Sequence, residues 1–127
     1  MGIRVQRRSE DSRIRTKRSK PAAGHDLYST EDINIAANNW ALVKIGLAIT
    51  VPEGTSGRIA SRSGLATKGI SIGAGVIDSD YRGEVKVLLV SHNSVNYQVR
   101  KSDRIAQLIV ERIDDQNSMK GEVLDTI

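Results

Sequence analysis

Trp40-Ala-Leu-Val-Lys-Ile-Gly-Leu-Ala-Ile-Thr-Val51 runs directly into Pro52-Glu-Gly54. The run is rich in β-branched and aliphatic residues and ends on a turn signal, so it reads as a long strand. Working outward, Gly57-Arg-Ile-Ala-Ser-Arg-Ser63 is a short strand candidate. Glu84-Val-Lys-Val-Leu-Leu-Val90 begins as apolar/polar alternation and becomes continuously apolar. It is expected to be half-exposed at one end and buried at the other. His92-Asn-Ser94 reads as a turn, and Tyr97-Gln-Val99 and Ile105-Ala-Gln-Leu-Ile-Val-Glu-Arg-Ile113 as two further strands. No segment holds an i, i+3, i+4, i+7 pattern over three turns. The one helix candidate is Gly64-Leu-Ala-Thr-Lys68. Many short strands in one small chain predict an all-β sandwich or barrel.

The composition sets the limits of that fold. At 127 residues the chain suits one domain. It has no Cys and no Phe, one Trp and three Tyr. Disulfides, thiolate metal sites and a Cys nucleophile are excluded, and the core must rest on Val, Ile, Leu and Ala. No apolar run approaches the roughly 20 residues that cross a bilayer. The start lacks a signal peptide's apolar stretch, so no membrane contact and an intracellular location, cytoplasmic or nuclear, are expected. The net charge of +4 is unevenly spread. Eight Lys/Arg fall within residues 1–20 against Glu10 and Asp11, and the remainder is slightly acidic. Residues 1–20 form a basic N-terminal segment, a first strand or arm; residues 21–127 form the β domain. The segment is a candidate for weak nucleic-acid contact through Arg13-Ile-Arg-Thr-Lys-Arg-Ser-Lys20; a solvated tail is the plainer reading. Residues 114–127 are mostly polar and expected to be extended.

Three local patterns carry chemistry. Arg62-Ser63-Gly64 lies between a strand and the helix candidate, where unpaired N–H groups, a hydroxyl, a guanidinium and an open backbone would receive an anion; a Ser N-cap beside a solvated Arg is the alternative. Gly73-Ala-Gly-Val-Ile-Asp-Ser-Asp-Tyr-Arg-Gly83 reads as a glycine-flanked hairpin. On an extended chain its two carboxylates, Asp78 and Asp80, share a side, and a carboxylate orients and deprotonates water. Asp as an ordinary turn residue is the alternative. In Asp103-Arg-Ile-Ala-Gln-Leu108 a Gln interrupts an apolar strand, which demands polar partners if it is buried and none if it faces outward. His25 and His92 lie apart and lack metal-ligand company.

In order and spacing these segments resemble the trimeric deoxyuridine triphosphatases. Ala22-Ala-Gly-His-Asp-Leu-Tyr-Ser29 is similar to the first motif of that family. Gly57-Arg-Ile-Ala-Ser-Arg-Ser-Gly-Leu-Ala66, the Gly73 to Gly83 stretch and Asp103-Arg-Ile-Ala-Gln-Leu108 are similar to the second, third and fourth. The resemblance implies a distorted jelly-roll, or β-clip, subunit and a homotrimer with active sites at the subunit interfaces. It implies hydrolysis of dUTP to dUMP and pyrophosphate with Mg²⁺. Asp78 would be the base for the attacking water. Tyr81 would pack on the deoxyribose and exclude a 2′-hydroxyl. The backbone of Gly75, Val76, Ile77 and Lys86 would read the uracil edge. Arg62, Ser63, Gly64 and Gln107 would hold phosphates, and Asp26 would support the metal indirectly, through water.

Attack at the α-phosphorus mainly needs an aligned water, charge neutralisation and a cradle for pyrophosphate. Mg²⁺ prefers phosphate oxygens and waters to an all-protein cage, so no dense carboxylate cluster is required. The family usually ends in a Gly-rich fifth motif with a stacking Phe. The sequence here stops at Leu124-Asp-Thr-Ile127. Without a lid to align substrate and exclude water, weak turnover with retained binding is the expectation. The alternative is a non-catalytic nucleotide-binding or interaction module of the same fold. The dCTP deaminase branch fits less well, because Asp78-Ser-Asp-Tyr81 is the triphosphatase form of the third motif.

Overall fold

The computed structural model describes residues 2–13 and 24–114. Most of the basic run, Ala22 and Ala23 of the first motif, and residues 115–127 lie outside the described residues. Among the described residues, ten strands and one short helix follow in chain order: β1 (Arg4–Arg7), β2 (His25–Tyr28), β3 (Ile33–Ile35), β4 (Trp40–Thr50), β5 (Thr55–Ala60), α1 (Ser63–Ala66), β6 (Ile70–Ala74), β7 (Val76–Asp78), β8 (Glu84–Ser91), β9 (Tyr97–Val99) and β10 (Arg104–Arg112). They form an antiparallel sheet ordered β1-β4-β8-β6, a second ordered β2-β10-β5-β7, and the small pair β3-β9. The all-β expectation holds.

Both large sheets contribute to a single core. Val43, Ile45, Leu47 and Ile49 of β4 meet Val85, Val87 and Leu89 of β8, and Ile59, Ile77, Ile105 and Leu108 face them from the second sheet. Aliphatic residues fill this space without Phe, because β-branched side chains interdigitate well on a pleated surface.

β4 carries a bulge. Its pairing with β8 jumps from Lys44↔Lys86 to Leu47↔Val85. Ile45 and Gly46 are the two extra residues, and an even insertion keeps the odd-numbered side chains on the core face at both ends. Gly46 has φ +69°, and a Cβ there would lie 2.9 Å from the Ser9 Cβ. The chain after β1 crosses this bulge: Arg8 N donates to Gly46 O at 2.8 Å. Ser12 is buried beside it, and Asp11 pairs with Lys101 at 2.6 Å.

Two expectations change. β8 does not pass from half-exposed to fully buried; its burial alternates along the whole strand. Leu88 and Val90 face outward, opposite Leu42 and Trp40 of β4. Those partners are 51% and 61% exposed, leaving an apolar strip on the outer sheet face. Nor is the glycine-flanked stretch a simple hairpin. β6 pairs with β8 in the first sheet, and β7 pairs with β5 in the second. The chain changes sheets between Ala74 and Val76. Gly73 is needed on the way, since a Cβ there would meet the Leu88 side chain at 2.5 Å. Asp80 consequently lies in a turn, with Tyr81 N donating to Asp78 O at 3.0 Å, and does not continue the strand geometry of Asp78.

Candidate functional site

The change of sheets opens a slot. β7 is the edge strand of the second sheet, so one side of its backbone has no neighbouring strand. β6 accompanies β8 only from Leu88 to Ser91, so that side of β8 is bare near Lys86. Between these two edges lies a cavity of about 280 Å³, lined by Gly75, Val76, Ile77, Tyr81, Lys86 and Leu88 among others. Five of the residues expected to read a base and sugar thus meet in one place. Backbone donors and acceptors on bare strand edges recognise a planar polar edge without special side chains. Asp78 stands at the end of β7, with its side chain exposed and free of hydrogen bonds and ion pairs among the described residues. Tyr81 is tethered by its hydroxyl, which donates to the Glu84 carbonyl at 2.9 Å.

The phosphate-type residues gather elsewhere. Asp26 on β2, Gln107 on β10 and Ala60 on β5 stand in register across the second sheet. The chain leaves β5 there and enters α1 through Ser61 and Arg62. Arg62, in extended conformation, is the N-cap, and no side chain caps the helix, so Ser63 is not the N-cap that the alternative reading needs. The single turn of α1 is pinned by buried Leu65. The Gln107 amide donates to the Ser61 carbonyl at 3.0 Å. Asp26 lies between two guanidinium groups, with Arg62 Nε at 3.9 Å and Arg104 Nη1 at 3.4 Å. A cavity of about 320 Å³ adjoins this cluster and is lined by Arg62, Gly64, Lys68, Tyr97 and Arg104 among others. Burial, and then the charge of Asp103, holds the Tyr97 hydroxyl above the ordinary tyrosine range, so it remains a donor.

Sequence reasoning missed Arg104 and Gly24. Arg104 follows Asp103 in the fourth motif and reaches Asp26 on the neighbouring strand β2. A Cβ at Gly24 would lie 2.6 Å from Gln107 Oε1, so this glycine makes room for that amide.

The two clusters lie towards opposite ends of β5. Asp78 stands opposite Ser56 on β5, six residues before Arg62, which at about 3.3 Å per residue is roughly 20 Å.

A model of the dUTPase family matches residues 10–126. The chain belongs to the dUTPase family. It is 50% identical over 114 residues to the deoxyuridine 5′-triphosphate nucleotidohydrolase of Saccharomyces cerevisiae, covering 89% of this chain and 78% of that one. Its identity to the corresponding protein of Candida albicans is 53% over 112 residues, 87% of this chain and 70% of that one. A mutant dUTPase from phage phi11 of S. aureus, solved for the coordination of a structural Mg(II) ion, matches with TM-score 0.83 at 25% identity. That match covers 89% of this chain and 92% of the phage chain. The four motifs of this dUTPase chain therefore sit in the two clusters described: the third around the slot, and the first, second and fourth around Asp26.

Proposed function

We propose that this chain hydrolyses dUTP to dUMP and pyrophosphate at sites shared between the subunits of a homotrimer. The observation that carries the reading is the slot between β7 and β8, with an exposed carboxylate, Asp78, next along β7 after Ile77 of its lining. Uracil enters the slot and pairs with backbone groups of Gly75, Val76, Ile77 and Lys86. Tyr81 packs on the deoxyribose and leaves no room for a 2′-hydroxyl. Asp78 orients a water and takes its proton as the oxygen attacks the α-phosphorus; the bond from that phosphorus to the bridging oxygen breaks and pyrophosphate departs. Arg62, Ser63, Gly64 and Gln107 hold the phosphates, with Arg104 and Asp26 fixing the Arg62 side of the cradle.

Mg²⁺ fits this chain as a companion of the triphosphate. Among the described residues no group of three or more His, Asp or Glu side chains could hold a metal ion, and Mg²⁺ accepts few protein ligands beside phosphates and waters. Asp26, beside the phosphate cluster, would reach it through water. When bound, the ion neutralises phosphate charge.

The separation of Asp78 from Arg62 supports a site completed by a second copy, and the outer strip of exposed Trp40 and Leu42 beside half-buried Leu88 and Val90 supports burial against one. The chain reads as a basic segment, residues 1–20, joined to a β domain over residues 21–127. Arg13 stacks over the Tyr28 ring at 4.6 Å, and the rest of the basic run would make at most a weak, salt-sensitive nucleic-acid contact. No helix among the described residues is long and apolar enough to cross a membrane; the dUTP pool served would be intracellular, cytoplasmic or nuclear.

The test is pyrophosphate release with Mg²⁺ from dUTP, dTTP, dCTP and UTP. Release from dUTP alone, reduced about a hundredfold or more in Asp78→Asn, is expected for loss of a general base. Binding of dUTP without release would favour the non-catalytic module.

A further inference from the structure

In the turn between β7 and β8, Arg82 and Gly83 are built around the Tyr81 ring. Gly83 is not there for its backbone. Among the described glycines only Gly46, Gly54 and Gly69 adopt positive φ, so Gly83 holds a conformation open to any residue. What it lacks is a side chain, and the space is taken. A Cβ at Gly83 would lie 2.6 Å from the Tyr81 hydroxyl oxygen, 2.9 Å from Cζ and 3.4 Å from Cε1. Tyr81 therefore folds back over its own turn. Its hydroxyl is tied to the Glu84 carbonyl at 2.9 Å. From outside, Arg82 Nη1 donates to the carbonyls of Ser79 at 2.8 Å and Tyr81 at 3.0 Å, closing the turn. The ring is thus seated on Gly83, and it forms a wall of the slot.

We infer that Gly83 is a specificity-determining position: by leaving room for the Tyr81 ring it sets where the sugar wall stands, and so the preference for deoxyribose over ribose. Arg82 is a positioning residue for the same turn. This inference rests on the reading of the slot as a nucleotide pocket walled by Tyr81. A Cβ at Gly83 strikes the far end of a movable side chain, so the ring swings outward while the fold stays intact. The wall retreats from the sugar and ribose is admitted.

The experiment is calorimetric titration of dUMP and UMP into the unchanged chain, Gly83→Ala, Tyr81→Ala, the double variant and Tyr81→Phe, with thermal unfolding as a control. Binding needs no turnover, so the result is independent of catalysis. Gly83→Ala is expected to keep its melting temperature and lose dUMP-over-UMP preference by about tenfold, the scale of a pocket altered by one methyl group. Tyr81→Ala should lose as much, and the double variant no more than either. Tyr81→Phe, which keeps the ring but releases the tether to Glu84, should lose part of the preference without touching the backbone. Full preference in both Gly83→Ala and Tyr81→Phe, with loss in Tyr81→Ala, would overturn the role of Gly83 and leave the pocket reading standing. Equal binding of dUMP and UMP by the unchanged chain would overturn the pocket reading itself, and the inference with it.

Discussion

Asp78 and Gly24 mark the range of what single residues reveal here. A carboxylate between a β-branched pair and a Tyr-Arg-Gly sequence announces chemistry by its type. Gly24 announces nothing, because its reason lies on another strand: it vacates the space that Gln107 Oε1 occupies. Gly24→Ala is expected to push the Gln107 amide off the Ser61 carbonyl and raise the KM for dUTP about three- to tenfold, the worth of one ordinary hydrogen bond. Gln107→Ala should cost the same, and the two together no more. Steady-state kinetics on the three variants checks this, and a double variant much worse than Gln107→Ala would separate the two residues. Arg62, Ser63, Gly64 and Tyr81 stood out in the sequence as candidates, with their roles supplied by the family resemblance. Arg104, Gly24 and Gly83 did not, since each acts through a partner that folding supplies.

At the scale of elements, periodicity placed β4, β5, β8, β9 and β10 close to their observed bounds. It misread the burial of β8 because an apolar run looks the same whether its outer face meets a second layer of this chain or lies on the surface. The bulge in β4 was also hidden, as two extra residues preserve the apolar parity on both sides. Its central glycine is costly to replace. Gly46→Ala would hold a Cβ at φ +69° and press it against Ser9, Thr30 and Ser12. A loss of about 2–5 kcal/mol is expected from the two effects together. Gly54 is the matched control: its φ is +84°, yet no atom lies within 4 Å of a Cβ there. Gly54→Ala should lose only the backbone share, about 1 kcal/mol. Urea denaturation at one protein concentration compares them, and equal losses would refute the packing at the bulge.

The whole molecule adds the question of how the two clusters meet. Asp78 and Arg62 lie towards opposite ends of β5, and on the proposed reading a working site takes them from different copies. Asp78→Asn and Arg62→Ala should each be nearly inactive. Unfolded, mixed in equal amounts and refolded together, they should regain about a quarter of the unaltered activity, the share of interfaces that receive both intact residues. No recovery on mixing, with trimers verified by light scattering, would place both residues in one subunit's site. The Trp40 fluorescence should shift to the blue as trimers form, because a ring 61% exposed in the single chain would then be covered.

Residue order carried the all-β fold class, because alternation and turn residues are local properties of the chain itself, and it carried the four motifs through their resemblance to a known family. The tertiary structure supplied what depends on non-local contact. The change of sheets between Ala74 and Val76 made a slot of two strand edges, and β5 set that slot and the Asp26 cluster towards its two ends. Glycines 24, 73 and 83 are explained by the atoms that fill the space beside them. Such facts arise only when strands distant in sequence lie side by side, and no local pattern encodes them.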